Sequence, residues 1–242
     1  MRRVAAALAV LLAAGPAAAS GRPLVVWAWE RPEDLTFLPA DVEVAAHMAF
    51  VEVVGDKVAA RGRWHPLRVA EGQPTTAVVH VQIDRRRPLA WTDRTTELVA
   101  RSVLNAADAP WVRTLQLDFE VRASERPYLL AVVRAVRAGL RPGLRLSMTA
   151  LASWCETEAW LADAPVDEVA PMLFRMGPGG ARIRAKLAAG GDFAGRHCRS
   201  ALAMATDTPL DGAPEGRRVY LFNPRSWTPA DFEAARARVQ AW

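Results

Sequence analysis

The chain of 242 residues has almost no lysine, with Lys57 and Lys186 its only two against an abundance of arginine. That arginine and alanine richness reads as genome composition. No basic stripe interleaved with aromatics runs along the chain, so a nucleic-acid partner is excluded. No long acidic or basic tail is present. No G-x-G-x-x-G turn or P-loop follows the first strand, which removes the usual phosphate cradle of a doubly wound nucleotide-binding sheet. The four histidines, His47, His65, His80 and His197, are scattered, and no Cys/His cluster has metal spacing. No metal or cofactor is therefore expected. Only two cysteines occur, Cys155 and Cys198.

What is present begins with an export pattern. Arg2 and Arg3 form a basic start, Ala5 to Ala14 an apolar run too short to span a bilayer, and Ala17-Ala18-Ala19 a cleavage site. The expectation is a signal peptide over 1–19 and a mature chain over 20–242, periplasmic or secreted, with no stable membrane span. No cysteine follows the apolar run, which argues against a lipoprotein. Removing Arg2 and Arg3 lowers the formal charge from +5 to +3. In an exported protein the even cysteine pair suggests a disulfide.

The pattern predicts about eight strands, with helices between most of them. Strands are read at 24–29, 42–50, 76–83, 114–121, 145–151, 167–174, 200–206 and 219–222. The second continues into an alternating run through Val54, a Gly55-Asp56 turn and Lys57 to Arg61, which reads as a hairpin. Helices are read at 95–107, after Ser124 as cap, at 156–162, at 181–189, and from Thr228-Pro229 onward. Leu129, Val132, Val133 and Val136 give the second helix a helical apolar stripe. The count and alternation fit one (β/α)8 TIM-type barrel over 20–242, irregular between strands 2 and 3 where no clear helix appears. A doubly wound open sheet is the alternative.

The centre of the chain is Leu115-Gln116-Leu117-Asp118-Phe119-Glu120. Strand alternation puts Gln116, Asp118 and Glu120 on one face and the apolar residues on the other. A buried strand with two carboxylates on one side costs stability unless they are paired or wet. The expectation is that they point into a water-filled mouth. The other strand ends carry Trp29, Glu30, Asp84, Trp154, Arg175, Asp207 and Asn223. Barrel active sites form at those ends. Aromatic faces stack on sugar rings, acids and amides bond hydroxyls, and paired carboxylates run glycoside hydrolysis. Asp118 and Glu120 are therefore the catalytic candidates. Trp29, Glu30, Asp84, Arg175, Trp154, Asp207 and Asn223 are the candidates for holding a carbohydrate or other small ligand.

Four segments carry a resemblance: Val25 to Glu33, Leu115 to Glu120 with Ser124 to Arg126, Thr149 to Cys155, and Pro171 to Gly177. They resemble a bacterial exported family catalogued as domain of unknown function 3142, over most of the mature chain. A weaker likeness is to chitinase-like glycoside hydrolases, whose fourth strand ends in D-x-x-D-x-D-x-E. Asp118 and Glu120 match its last two Asp-type positions and Arg122 falls on the Glu. Arginine cannot donate the proton, so this likeness leaves the acid's role to Glu120 or Glu125. Three functions follow as expectations: a glycosidase-like enzyme, a non-catalytic saccharide-binding barrel, and an envelope scaffold whose strand-end residues are buried ion pairs with no open pocket.

Overall fold

The structure is a computed structural model, and it describes residues 21–242. The signal peptide read over 1–19 lies outside the described residues.

Eight parallel strands form the frame: β1 Leu24–Ala28, β2 Glu43–Val54, β3 Pro74–Ile83, β4 Thr114–Glu120, β5 Arg145–Leu151, β6 Glu168–Met172, β7 Ala201–Ala205 and β8 Arg218–Phe222. Each pairs with its sequence neighbour. β1 pairs with β8, Leu24 opposite Val219, and on its other edge with β2, Val25 opposite Glu43. The sheet therefore closes, and the open doubly wound alternative is excluded.

Alternation decides which residues fill the barrel. Val25, Trp27, Ala45, Val78, Ala170, Ala203 and Tyr220 form the inner cluster. Val26, Val44, Val79, Leu117, Met148, Leu202 and Leu221 face outward into a larger core shared with the helices. Among the described residues five α-helices follow in chain order: α1 Asp93–Asn105, α2 Arg126–Gly139, α3 Trp154–Thr157, α4 Gly180–Ala188 and α5 Pro229–Gln240. On α2 the stripe Leu129, Val132, Val133 and Val136 is buried, as its spacing predicts. α1 starts at a reciprocal cap in which Thr95 N donates to Thr92 Oγ1 and Thr92 N donates to Thr95 Oγ1. Thr228 caps α5 through Asp231 N at 3.1 Å, with Pro229 at the first helical position.

The irregularity lies where the sequence places it. No helix follows β2. Instead β2 and β3 run on beyond the other strands, and Lys57–Gly62 folds back antiparallel along β2 through the Gly55-Asp56 turn. Gly55 takes φ +65°, which a side chain disfavours. A register shift between His47 and Ala49, opposite Val78 and Val79, marks a bulge in β2. It brings His47 and Phe50, three residues apart, onto the same inner side, where simple alternation would separate them.

Several boundaries differ from expectation. β1 stops at Ala28, because Trp29 begins a loop. Ser124 does not cap α2; it sits inside a short 3₁₀ turn, Ala123–Glu125, that feeds the helix. Cys155 and Cys198 are joined as a disulfide, with Cα atoms 5.9 Å apart and a sequence separation of 43. It ties α3 to the turn that enters β7. Closing such a loop restricts the unfolded chain by about 4 kcal/mol in the chain-entropy view. No helix among the described residues is long and apolar enough to cross a membrane.

Candidate functional site

The C-terminal ends of the strands enclose a cavity of about 630 Å³. Its walls include Trp27, Trp29, Phe50, Trp154, Phe174 and Phe222, and its polar lining includes Glu30, His47, Arg61, His80, Arg85, Asp118, Glu120, Arg122, Thr149 and Arg175. Both volume and mixture are those of a small-molecule site.

Under the cavity lies a hydrogen-bonded chain across the barrel interior. Trp27 Nε1 donates to Gln116 Oε1 at 2.8 Å, Gln116 Nε2 to Ser147 Oγ at 3.1 Å, and Ser147 Oγ to Glu168 Oε1 at 3.1 Å. Tyr220 Oη donates to the same Glu168 oxygen at 2.6 Å. Burial, reinforced by Glu168, pushes the Tyr220 phenol up, so it stays a donor. This network satisfies five inward polar groups and fixes Trp27 as part of the cavity floor.

Directly above it, Asp118 and His80 stand opposite each other on β4 and β3. His80 Nδ1 donates to Asp118 Oδ2 at 2.7 Å, and Thr149 Oγ1 from β5 donates to Asp118 Oδ1 at 2.5 Å. Burial raises the Asp118 carboxyl, but the bond and charge of His80, the Thr149 hydroxyl and His47 outweigh it and hold it below the usual carboxylate range. Burial likewise opposes a charge on His80, yet Asp118 and then Glu120 raise it above an ordinary imidazole. The two form a buried ion pair. Phe50 stacks on the His80 ring, with centroids 5.4 Å apart and an interplanar angle of 22°.

Glu120, two residues along the same strand, differs. It is exposed at the mouth, and its carboxylate takes part in no ion pair or hydrogen bond among the described residues. Glu30 is fully engaged: Arg61 Nη1 donates to it at 3.1 Å, and the backbone N–H groups of Trp64 and His65 donate at 3.0 and 3.2 Å. Burial raises the Glu30 carboxyl, and these donors more than reverse that. His47 lies 3.4 Å from Glu30, and burial pushes its imidazole down to about 4, so it is neutral. Arg61 also lies over Phe50 and over Trp64, 5.0 and 4.7 Å from the ring centroids. Trp64 is 77% exposed, so an aromatic and cationic ladder climbs from His80 to the surface.

The expected site residues divide into two groups. Asp118, Glu120, Trp29, Glu30, Trp154 and Arg175 meet at the cavity. Asp84, Asp207 and Asn223 do not. Asp84 is clamped by Arg86, whose backbone N, Nε and Nη2 all reach it within two residues of sequence, and these bonds hold the carboxyl down at about 2. Asp207 is exposed on the loop after β7. Asn223 is buried, accepts from Thr206 Oγ1 and donates to Ser226 O and Asp231, which makes it the turn-former between β8 and α5. Glu125, the other acid considered for proton donation, is held by Arg85 at 2.7 Å and by the Arg122 N–H at 2.7 Å, away from the cavity. Trp154 is buried and edge-packed on Trp160 beside the disulfide, and it touches the cavity as part of that wall.

Sequence reasoning missed His80, His47, Thr149, Phe50 and Arg61. His80 and Thr149 sit at inward positions near the ends of β3 and β5, a signal that alternation offers. Arg61 and Phe50 depend on the hairpin and the bulge.

No family model matches the chain, and neither a curated protein nor a solved structure matches it.

Proposed function

We propose that this chain is an exported carbohydrate-active barrel that binds a glycan across its mouth and cleaves it, with Glu120 as the proton donor and Asp118 as the ionised partner. One observation carries the reading. Two carboxylates on one strand face one aromatic-walled cavity in different settings, one buried and held as an anion by His80 and Thr149, the other exposed and unpaired among the described residues. Glycoside hydrolysis uses two carboxyl groups in separate roles, and the one left free of protein partners is the one able to reach the leaving oxygen. Alternate positions on a strand put the two on the same face, about 6.6 Å apart at the backbone. Trp29 and the stacked pair Phe174 and Phe222 give the cavity an aromatic wall for a sugar to lie against, and exposed Trp64 extends the surface outward. An exported location fits the disulfide and the leader read over 1–19.

A specific observation favours a second reading, saccharide binding without turnover. Asp118 and Glu30 are both saturated by donors, so Glu120 is the one unpaired carboxylate on the cavity among the described residues. The oxidised mature chain, offered a glycan panel, separates the two. Hydrolysis abolished by Glu120→Gln, with binding kept, supports the enzyme. Binding with no hydrolysis supports the second reading. Hydrolysis unchanged in both Glu120→Gln and Asp118→Asn contradicts the mechanism.

A further inference from the structure

The ions around the cavity do not balance, and the imbalance bears on the substrate. Most charges there are neutralised inside the protein. Arg61 pairs with Glu30, Arg85 with Glu125, and His80 with Asp118. Three charges pair with nothing among the described residues: the Glu120 carboxylate and the guanidinium groups of Arg122 and Arg175. Arginine therefore outweighs acid among the groups left for a ligand.

Arg175 is the more telling of the two. It follows β6, is exposed at the mouth, and sits over the Phe222 ring at 5.8 Å. Arg31 lies over the same ring at 5.7 Å. Arg31 has its own partners, Glu33 at 3.2 Å and the carbonyls of Asn223 and Pro224. Arg175 has none, and its charge adds to burial in making the Arg31 cation harder to hold. It also has φ +50°, the one described non-glycine residue with positive φ. An arginine gains nothing from that conformation, which glycine takes freely. A strained backbone beside a second cation disfavours folding, so the side chain is placed there for something that arrives from outside.

We infer that the ligand carries a carboxylate on or beside a pyranose ring, and that Arg175, with Arg122 on the same cavity, receives it while the ring lies against the aromatic wall that Trp29 and Phe174 help to form. This rests on the carbohydrate reading and narrows it to acidic glycans. A guanidinium fork matches a carboxylate in two hydrogen bonds, which a neutral hydroxyl does not. The carboxylate could belong to a uronic acid or to the lactyl ether of a muramic acid, and the chemistry at Arg175 is the same.

The test compares binding of three probes to the oxidised mature chain by calorimetry: an oligogalacturonate, a muramic-acid-containing peptidoglycan disaccharide, and a neutral gluco-oligosaccharide of matched length. The expected result is that at least one acidic probe binds more tightly than the neutral one, and which does so identifies the source. Arg175→Gly is expected to weaken that acidic probe roughly 10- to 100-fold, the value of a charge-assisted contact. Its thermal midpoint should hold or rise, because glycine relaxes the backbone. Arg175→Lys should recover part of the binding, and Arg122→Gln should weaken the acidic probe alone. Neutral binding equal to or tighter than acidic binding overturns the inference and leaves the carbohydrate reading standing. Binding of none of the three overturns both. A lowered midpoint in Arg175→Gly, with equal losses for acidic and neutral probes, makes Arg175 structural and also overturns the inference.

Discussion

Replacing Asp118 by Asn removes one charge from the buried pair and little volume. Both side chains of the pair are about one-tenth exposed, 10% for His80 and 11% for Asp118, so solvent screens it weakly. Removing one partner of such a pair costs about 3–5 kcal/mol when the other stays charged. His80 can escape by losing its proton, so the cost must depend on pH. His80 is protonated more readily folded than unfolded, so its contribution is complete below 6.5 and fades as pH rises through its raised folded value. Asp118 runs the other way: its contribution is complete above 3.8 and fades as pH falls through its lowered folded value. The pair stabilises most between those two values. Urea unfolding with the disulfide oxidised should show Asp118→Asn costing about 3 kcal/mol at pH 5.5 and clearly less at pH 9. In the variant burial outweighs the remaining pull of Glu120 on His80, so its NMR titration should move from above an ordinary imidazole to below it. A cost that is the same at both pH values, or a His80 that still titrates high in the variant, refutes the ion pair.

Three further outcomes follow from the same geometry. His47 is neutral in the fold at about 4 and titrates at 6.5 unfolded, so wild-type stability should fall by about 3 kcal/mol more than that of His47→Gln between pH 6.5 and 4, as read by denaturant titration. Trp27→Phe removes the donor to buried Gln116 and should cost about 1–3 kcal/mol in the same assay, with weaker ligand binding because the cavity floor loosens. Cys155→Ser with Cys198→Ser should lose about 2–4 kcal/mol, and a loss below 1 kcal/mol would deny the disulfide a role in stability.

Much of the frame was legible because it is local. Alternation along β4 set Asp118 and Glu120 on the inner face, the Gly55-Asp56 turn marked the hairpin, and Thr228-Pro229 marked the start of α5. The site was legible only in part, because it is made by register. The weight of His80 comes from standing opposite Asp118 across two strands, a relation that no spacing within β3 encodes. The bulge in β2 that lets Phe50 join His47 leaves no local signature. The errors have the opposite origin. Asp84 sits at a strand end as a mouth residue should, but Arg86 two positions away captures it. Asn223 also sits at a strand end, and the turn into α5 engages both ends of its side-chain amide.

The central claim is that Glu120 is a working acid and not a surface charge. Release of reducing ends from a glycan panel, with wild type and Glu120→Gln run side by side, tests it most directly. Glu120 is exposed and unpaired, so the variant should unfold within about 0.5 kcal/mol of wild type. Loss of a general acid lowers turnover about 100-fold or more, and that is the expected result. A variant that folds as well as wild type and cleaves as fast contradicts the account.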